Sequence, residues 1–303
     1  MSEQLVRDLI EAGIHFGHRV SRWNPKMKPY IFGKRNLIHI VDIRQTVRGL
    51  LLAKKFIEQT VTNGKDVLFV GTKRQARQAI EDHAREVKMH WVTERWLGGT
   101  LTNFREIRKR LTRLEELEAL EADGQMDTYS KKQGATLRRQ MRKIQRNLDG
   151  LRNMTQLPGV MVAIDQRREI IAVREANKLG IPVICLLDTD SDPDLIDIPI
   201  PGNDDAMRAI ELVVATLAEA VTVGLGTRAK HADEMEQEAP RRRSRRAAMG
   251  RADSSGAIEA APAPQAAPAE PTTPPAEAAP QPAPAPAAPS EPADSAAGDG
   301  ATA

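Results

Sequence analysis

The chain has 303 residues, with 44 Lys and Arg against 41 Asp and Glu, one cysteine and only 3% aromatic residues. A single thiol excludes a disulfide framework, and Cys185, inside the apolar run VICLL, reads as a buried structural thiol. No apolar run approaches the roughly 20 residues of a membrane span, and the start MSEQLVRDLI lacks the basic-then-apolar order of a signal peptide, so a cytoplasmic protein without a membrane role is expected.

Composition changes near residue 226. Seven of the twenty prolines precede that point, together with nearly all the large apolar residues. The thirteen prolines that follow are interleaved mainly with alanine. Such a segment has too little to bury to offset the entropy of ordering it, so residues 227–303 are expected to be a disordered tail behind a folded domain at 1–226. The domain holds 36 basic and 30 acidic residues, the tail eight and eleven.

The elements follow in chain order. Leu5–Gly13 has helical apolar spacing and stops at glycine; the next stretch, through Ile38, reads as loop. Leu37–Val41 is a short strand, and Thr46–Thr62 a helix ending before the Asn63-Gly64 turn signal. Strands are then expected at Asp66–Gly71, His90–Val92, Val160–Asp165, Pro182–Asp188 and Ile196–Ile200. Helices are expected at Gln75–Val87, Glu169–Leu179 and Ala206–Val223, the last closed by Gly224. Apolar strands alternating with amphipathic helices indicate a three-layer α/β fold, an open parallel sheet with helices on both faces.

One segment breaks the alternation. Leu101, Phe104, Ile107, Leu111, Leu114 and Leu117 form one apolar stripe. After a polar break, Leu137, Met141, Ile144, Leu148 and Leu151 form another at heptad-like spacing. The expectation is an antiparallel coiled-coil hairpin inserted at about 101–154 and projecting from the body.

Chemistry concentrates in charged groups. Ala12–Val41 carries Arg19, Arg22, Lys26, Lys28, Lys34 and Arg35, no acidic residue, and four of the ten aromatics, including Trp23. Cations neutralise phosphates and aromatic faces stack on unpaired bases, so this composition points to RNA. Lys73, Arg74 and Arg77 follow a strand end and open a helix, a phosphate-friendly geometry. GTKRQA matches no Walker loop and there is no GxGxxG, so a nucleotide site is not expected. Arg95 and Trp96 precede the Gly98-Gly99 turn, and Arg105, Arg108, Lys109 and Arg110 follow on the helix; this basic hairpin root is a third expected RNA contact.

An acidic group lies at the strand ends: Asp165, Asp188, Asp190, Asp192, Asp194, Asp204 and Asp205. His18 with Asp188 and Asp205 could hold a divalent metal, although aspartates there also cap helices and fill turns. A metal-dependent phosphotransfer or hydrolytic enzyme is the alternative this cluster raises. No nucleophile–base spacing supports catalysis, so no enzyme and no required cofactor are expected. The arginine run Arg241, Arg242, Arg243, Arg245 and Arg246 is flanked by acids at Asp233–Glu238, and no role is assigned to it.

Six motifs stand out along the chain: HFGHRVSRWNPKMKPYIFGKRN (15–36), FVGTKRQA (69–76), RWLGGTLTNF (95–104), EANKLGIPV (175–183), DTDSDPD (188–194) and IPGNDDAMRA (200–209). Together they resemble the bacterial small-subunit ribosomal protein S2 family. They run in order between Ala12 and Gly224. Thr100 stands where the family's commoner pattern has methionine. The resemblance implies an α/β domain with a coiled-coil hairpin, set on small-subunit ribosomal RNA in the cytoplasmic ribosome. It also implies neighbouring small-subunit proteins as partners, including the large mRNA-binding one. A scaffold of this kind is not expected to be a homo-oligomer.

Overall fold

The structure, a computed structural model, describes residues 3–252. Its centre is a parallel sheet of five strands in the order β5-β4-β6-β7-β8. The strands are β4 (Val67–Val70), β5 (His90–Val92), β6 (Val160–Ile164), β7 (Val183–Leu187) and β8 (Ile198–Pro201). Every residue of β4, β6 and β7 is buried. That is why they are apolar runs rather than alternating ones: both faces of a parallel sheet are covered.

Alternate residues nonetheless feed two separate cores. Phe69, Val162, Ile164, Ile184 and Leu186 face one, beneath α2 (Ile43–Thr62), α3 (Arg77–Glu86) and α7 (Met207–Ala252). Leu68, Val70, Met161, Ala163, Cys185 and Leu187 face the other, beneath α6 (Ile170–Lys178) and the start of α4 (Phe104–Ala122). The expected three-layer α/β architecture is present. Helix α1 (Glu3–Glu11) packs on α2.

Helices α4 and α5 (Lys131–Leu148) pack on one another through Leu114, Leu117 and Met141, with Met126 from the turn between them completing the cluster. A capping box at Ser130 and Gln133 opens α5, satisfying N–H groups that have no partner inside the helix. Arg152 ties the end of this segment to α4 through Glu118 at 2.7 Å.

Two expectations need correction. The stretch before Ile38 is not simply loop. β1 (Phe16–Arg19), β2 (Ile31–Arg35) and β3 (Ile38–Val41) form an antiparallel sheet in the order β1-β3-β2. β2 and β3 are joined at Asn36 and Leu37, both at positive φ (49° and 61°), the conformation a tight two-residue hairpin turn demands.

Gly224 does not close α7, which continues to Ala252. A Cβ there would sit 2.9 Å from the Val61 side chain, so the glycine permits close approach to α2. Beyond it, Ala, Glu, Gln, Arg and Met are strong helix formers. Residues 253–303, most of the expected tail, lie outside the described residues.

Met207–Lys230 also has the length and apolarity of a membrane span. Its composition has another cause: Ala209, Ile210, Val213, Val214, Leu217, Ala220 and Val221 pack into the core beneath the sheet.

Candidate nucleic-acid interface

The β1–β3 lobe is moored to the carboxyl edge of the parallel sheet. Asp188, at the end of β7, is 2% exposed. Its Oδ1 accepts the His18 N–H at 3.1 Å, and Thr189 Oγ1 shares the same donor at 3.0 Å. Asn24 N–H donates to the Thr189 carbonyl at 2.8 Å. Asn203 donates from its backbone to the Ile14 carbonyl (2.8 Å) and from its side chain to the Gly13 carbonyl (3.1 Å). A Cβ on Gly17 would fall 2.6 Å from Thr189 Cγ2 and 3.0 Å from Asp188 Oδ1. Gly17→Ala is therefore expected to destabilise the protein by about 1–3 kcal/mol, the usual range for overpacking. An unchanged urea midpoint would show that the lobe adjusts without cost.

On this mooring stand Arg19, Arg22, Lys28, Lys34 and Arg35, all exposed, with no carboxylate within 4.0 Å among the described residues. Trp23 is half-buried, its ring 5.2 Å from that of His39 and tilted by 42°, so it packs within the lobe. Lys26 is otherwise engaged: Asp192 (2.8 Å) and Asp194 (2.6 Å) hold it, and hydrogen bonds to Asp192 and then Asp194 raise its pKa. It clips the lobe to the loop after β7 and is not a free phosphate ligand.

The second expected group changes more. Arg74 is exposed, but Lys73 is 8% exposed. Its Nζ lies 2.7 Å from Asp205, 2.8 Å from Asp204 and 3.5 Å from Asp165. Lys73 thus neutralises the acidic strand ends from inside and is removed from the RNA-contact set. Arg77 bonds Glu94 at 3.0 Å, and Glu94 also holds Arg146 at 2.8 Å, joining α3 to α5.

At the hairpin root, Arg95 and Arg105 are exposed without an ion pair among the described residues. A groove of about 610 Å³ between α4 and α5 is lined by Arg95, Lys109, Arg110, Arg113 and Lys143, with Glu106 the sole carboxylate in its lining. Glu106 takes Lys109 at 2.6 Å. Arg108 instead donates to the Arg152 and Met154 carbonyls, fixing the segment that follows α5. Trp96 is 8% exposed, so it is not a stacking platform. Its indole N–H donates to Glu175 Oε1 at 3.1 Å, and Glu175 also accepts the N–H groups of Gly99 (2.7 Å), Leu101 (3.0 Å) and Thr102 (3.2 Å). Glu175 was not singled out from the sequence, where it is one acid on an ordinary amphipathic helix.

Of the expected metal trio, His18 and Asp188 meet, but the third member is Asp204: their ligand atoms lie within 4.8 Å of one another. Asp205, 52% exposed, faces Lys73 instead. Burial, and then the charge of Asp165, push the Asp204 carboxyl up to about 7 in spite of Lys73; burial pushes Asp188 up to about 6. The trio's carboxylates are thus occupied, Asp204 by an ammonium and Asp188 by backbone and imidazole.

The comparisons with known proteins bear on this geometry. The family model described as Ribosomal protein S2 matches residues 9–224. The chain belongs to the ribosomal protein S2 family. It is 56% identical over 240 residues to the small ribosomal subunit protein uS2 of Rhodopirellula baltica, covering 79% of this chain and 92% of that one. It is 52% identical to the Synechocystis protein of the same name, over 72% of this chain and 81% of that one. The Syntrophobacter fumaroxidans uS2 protein is 51% identical, over 72% and 80%. The family match spans the lobe, the acidic edge and the hairpin, and stops where α7 leaves the core.

Proposed function

We propose that the protein is an RNA-anchored scaffold, held on small-subunit ribosomal RNA by its lobe and hairpin root. It is a structural constituent of the small ribosomal subunit in the cytoplasm. The observation that carries the finer reading is the exposed cation set Arg19, Arg22, Lys28, Lys34 and Arg35, with no internal carboxylate to neutralise it. Five unpaired cations on one small lobe that carries no acidic residue between Ala12 and Val41 suit an external anion, whereas the buried or clamped cations Lys26, Lys73 and Arg152 are held by internal carboxylates. Arg74, Arg95 and Arg105 extend it.

The same lobe exposes Phe32 (80%), Leu37 (78%) and Phe16 (49%). Apolar side chains beside cations suit a neighbouring protein, and the family resemblance makes the large mRNA-binding ribosomal protein the expected one. We infer that α4 and α5 form the protruding coiled-coil arm, and that the chain works as a single copy, away from any membrane. The enzymatic alternative would need an acidic edge open to metal and phosphate. Lys73 occupies three of its carboxylates.

The quadruple variant Arg22→Ala, Lys28→Ala, Lys34→Ala and Arg35→Ala is expected to bind small-subunit ribosomal RNA weakly, with the slope of log K against log salt reduced by about 3–4. Filter binding across a KCl series measures this. Wild-type affinity that ignores salt, or a variant with an unchanged slope, would sink the reading.

A further inference from the structure

Helix α2 carries four cations, Arg44, Arg48, Lys54 and Lys55, against a single acid, Glu58. Lys54 turns toward α7, 3.6 Å from Glu219. The other three are exposed and have no carboxylate within 4.0 Å among the described residues. At 100° per residue, positions 44, 48 and 55 fall within about 40° of one another around the helix axis, spread along roughly 17 Å. Leu50, Ala53, Ile57 and Val61 occupy the opposite face and are buried in the core. Leu51 (46%) and Leu52 (54%) are exposed beside the cations.

The placement runs against helix stability. Arg44 is in the first turn, where the positive end of the helix dipole disfavours a cation, and that turn has no acidic residue. Asp42 caps the turn by accepting the Arg44 N–H at 3.0 Å. A merely solvated face would carry mixed signs, with acids in the first turn. Asp42 answers the first turn alone; the stripe of cations along the helix has no carboxylate of its own within 4.0 Å among the described residues, which suits a surface kept for a partner. The stripe is also continuous with the lobe: α2 begins directly after β3, and Asp42 N–H donates to the Tyr30 carbonyl at 2.9 Å.

We propose that Arg44, Arg48 and Lys55 form a second phosphate-contact line, laid along the ribosomal RNA backbone beside the lobe. The proposal rests on the RNA-scaffold reading and adds a face to it.

The test uses the full chain and a small-subunit ribosomal RNA transcript. For the variant Arg44→Gln, Arg48→Gln and Lys55→Gln, the salt slope is expected to fall by about 2–3. In the wild type, acetylation of Lys55 by acetic anhydride is expected to slow several-fold once RNA is added; this readout needs no variant to fold. A wild type that binds with a normal salt slope, with neither change observed, overturns this proposal and leaves the scaffold reading standing. A wild type without salt-dependent binding overturns both. A variant that keeps its RNA slope but fails to enter small subunits assigns the face to a protein neighbour, and likewise overturns the RNA assignment.

Discussion

Glu175→Ala is expected to destabilise the protein by about 3–5 kcal/mol, because it removes the shared acceptor of several N–H donors, each costing about 1–3 kcal/mol when left buried and unsatisfied. The carboxylate sits on α6 and gathers the loop at 96–102, from which α4 departs. Burial alone would raise its pKa, but the N–H groups of Gly99, Trp96, Leu101 and Thr102 outweigh burial and hold it below the ordinary range. Its folded pKa is depressed, so its contribution is fully present at neutral pH. It is lost as pH falls below the usual carboxylate range. Alanine leaves the Trp96 indole N–H, the backbone N–H groups of Gly99, Leu101 and Thr102 and the Thr102 hydroxyl without their shared acceptor. Glu175→Gln keeps the shape but loses the charge, and should fall between alanine and wild type. Urea unfolding gives the magnitudes, and limited proteolysis shows whether the hairpin root loosens first. A Glu175→Ala midpoint equal to wild type would mean that water replaces the carboxylate without cost.

Lys73→Met should cost a similar about 3–5 kcal/mol, because it strands Asp204, 1% exposed, and Asp165 in one place without a counter-charge. Burial works against the ammonium, but Asp204 and Asp205 more than compensate and raise its pKa. The double variant Lys73→Met, Asp204→Asn should recover part of the loss, as expected of contacting partners. The pH dependence has a definite sign. Asp204 (about 7) and Asp188 (about 6) both lie above their unfolded values, so the stability they confer is present at low pH and fades as pH rises through those values. The wild type is expected to lose roughly 1–2 kcal/mol through these two groups between about pH 6 and 8. Lys73→Met should lose more, because Asp204 then charges without its partner. Denaturant titrations at several pH values measure both slopes. A Lys73→Met slope no steeper than wild type would contradict the coupling.

The parallel sheet was legible because its strands advertise themselves. VLFV, VMVAI and VICLL are short, apolar, rich in β-branched residues and separated by amphipathic stretches. The lobe was half-legible. Its cations and aromatics were visible, but FGHR and IFGKR contain glycine and charge, and their antiparallel pairing depends on a turn with Leu37 at positive φ. Nothing in a leucine announces that conformation. Lys73 misled because a lysine at a strand-to-helix turn suits a phosphate, while one carboxylate that claims it, Asp204, lies 131 residues later. Trp96 misled likewise: the acid that takes its indole N–H is 79 residues away. Gly224 read as a helix stop because close packing against Val61 leaves the same residue type behind as a C-terminal cap.

The mooring of the lobe has a consequence for synthesis. The hydrogen bond from His18 to Asp188 spans 170 residues, and that from Asn203 to Gly13 spans 190. At translation speeds of about 5–20 residues per second, the lobe leaves the ribosome on the order of ten to thirty seconds before its anchors do. A segment made well before its anchors is therefore among the last to dock, as long-range closure dictates. During that interval a cationic stretch travels without its scaffold in a cell crowded with RNA, and capture of the correct site must wait until β7 and β8 have been laid down.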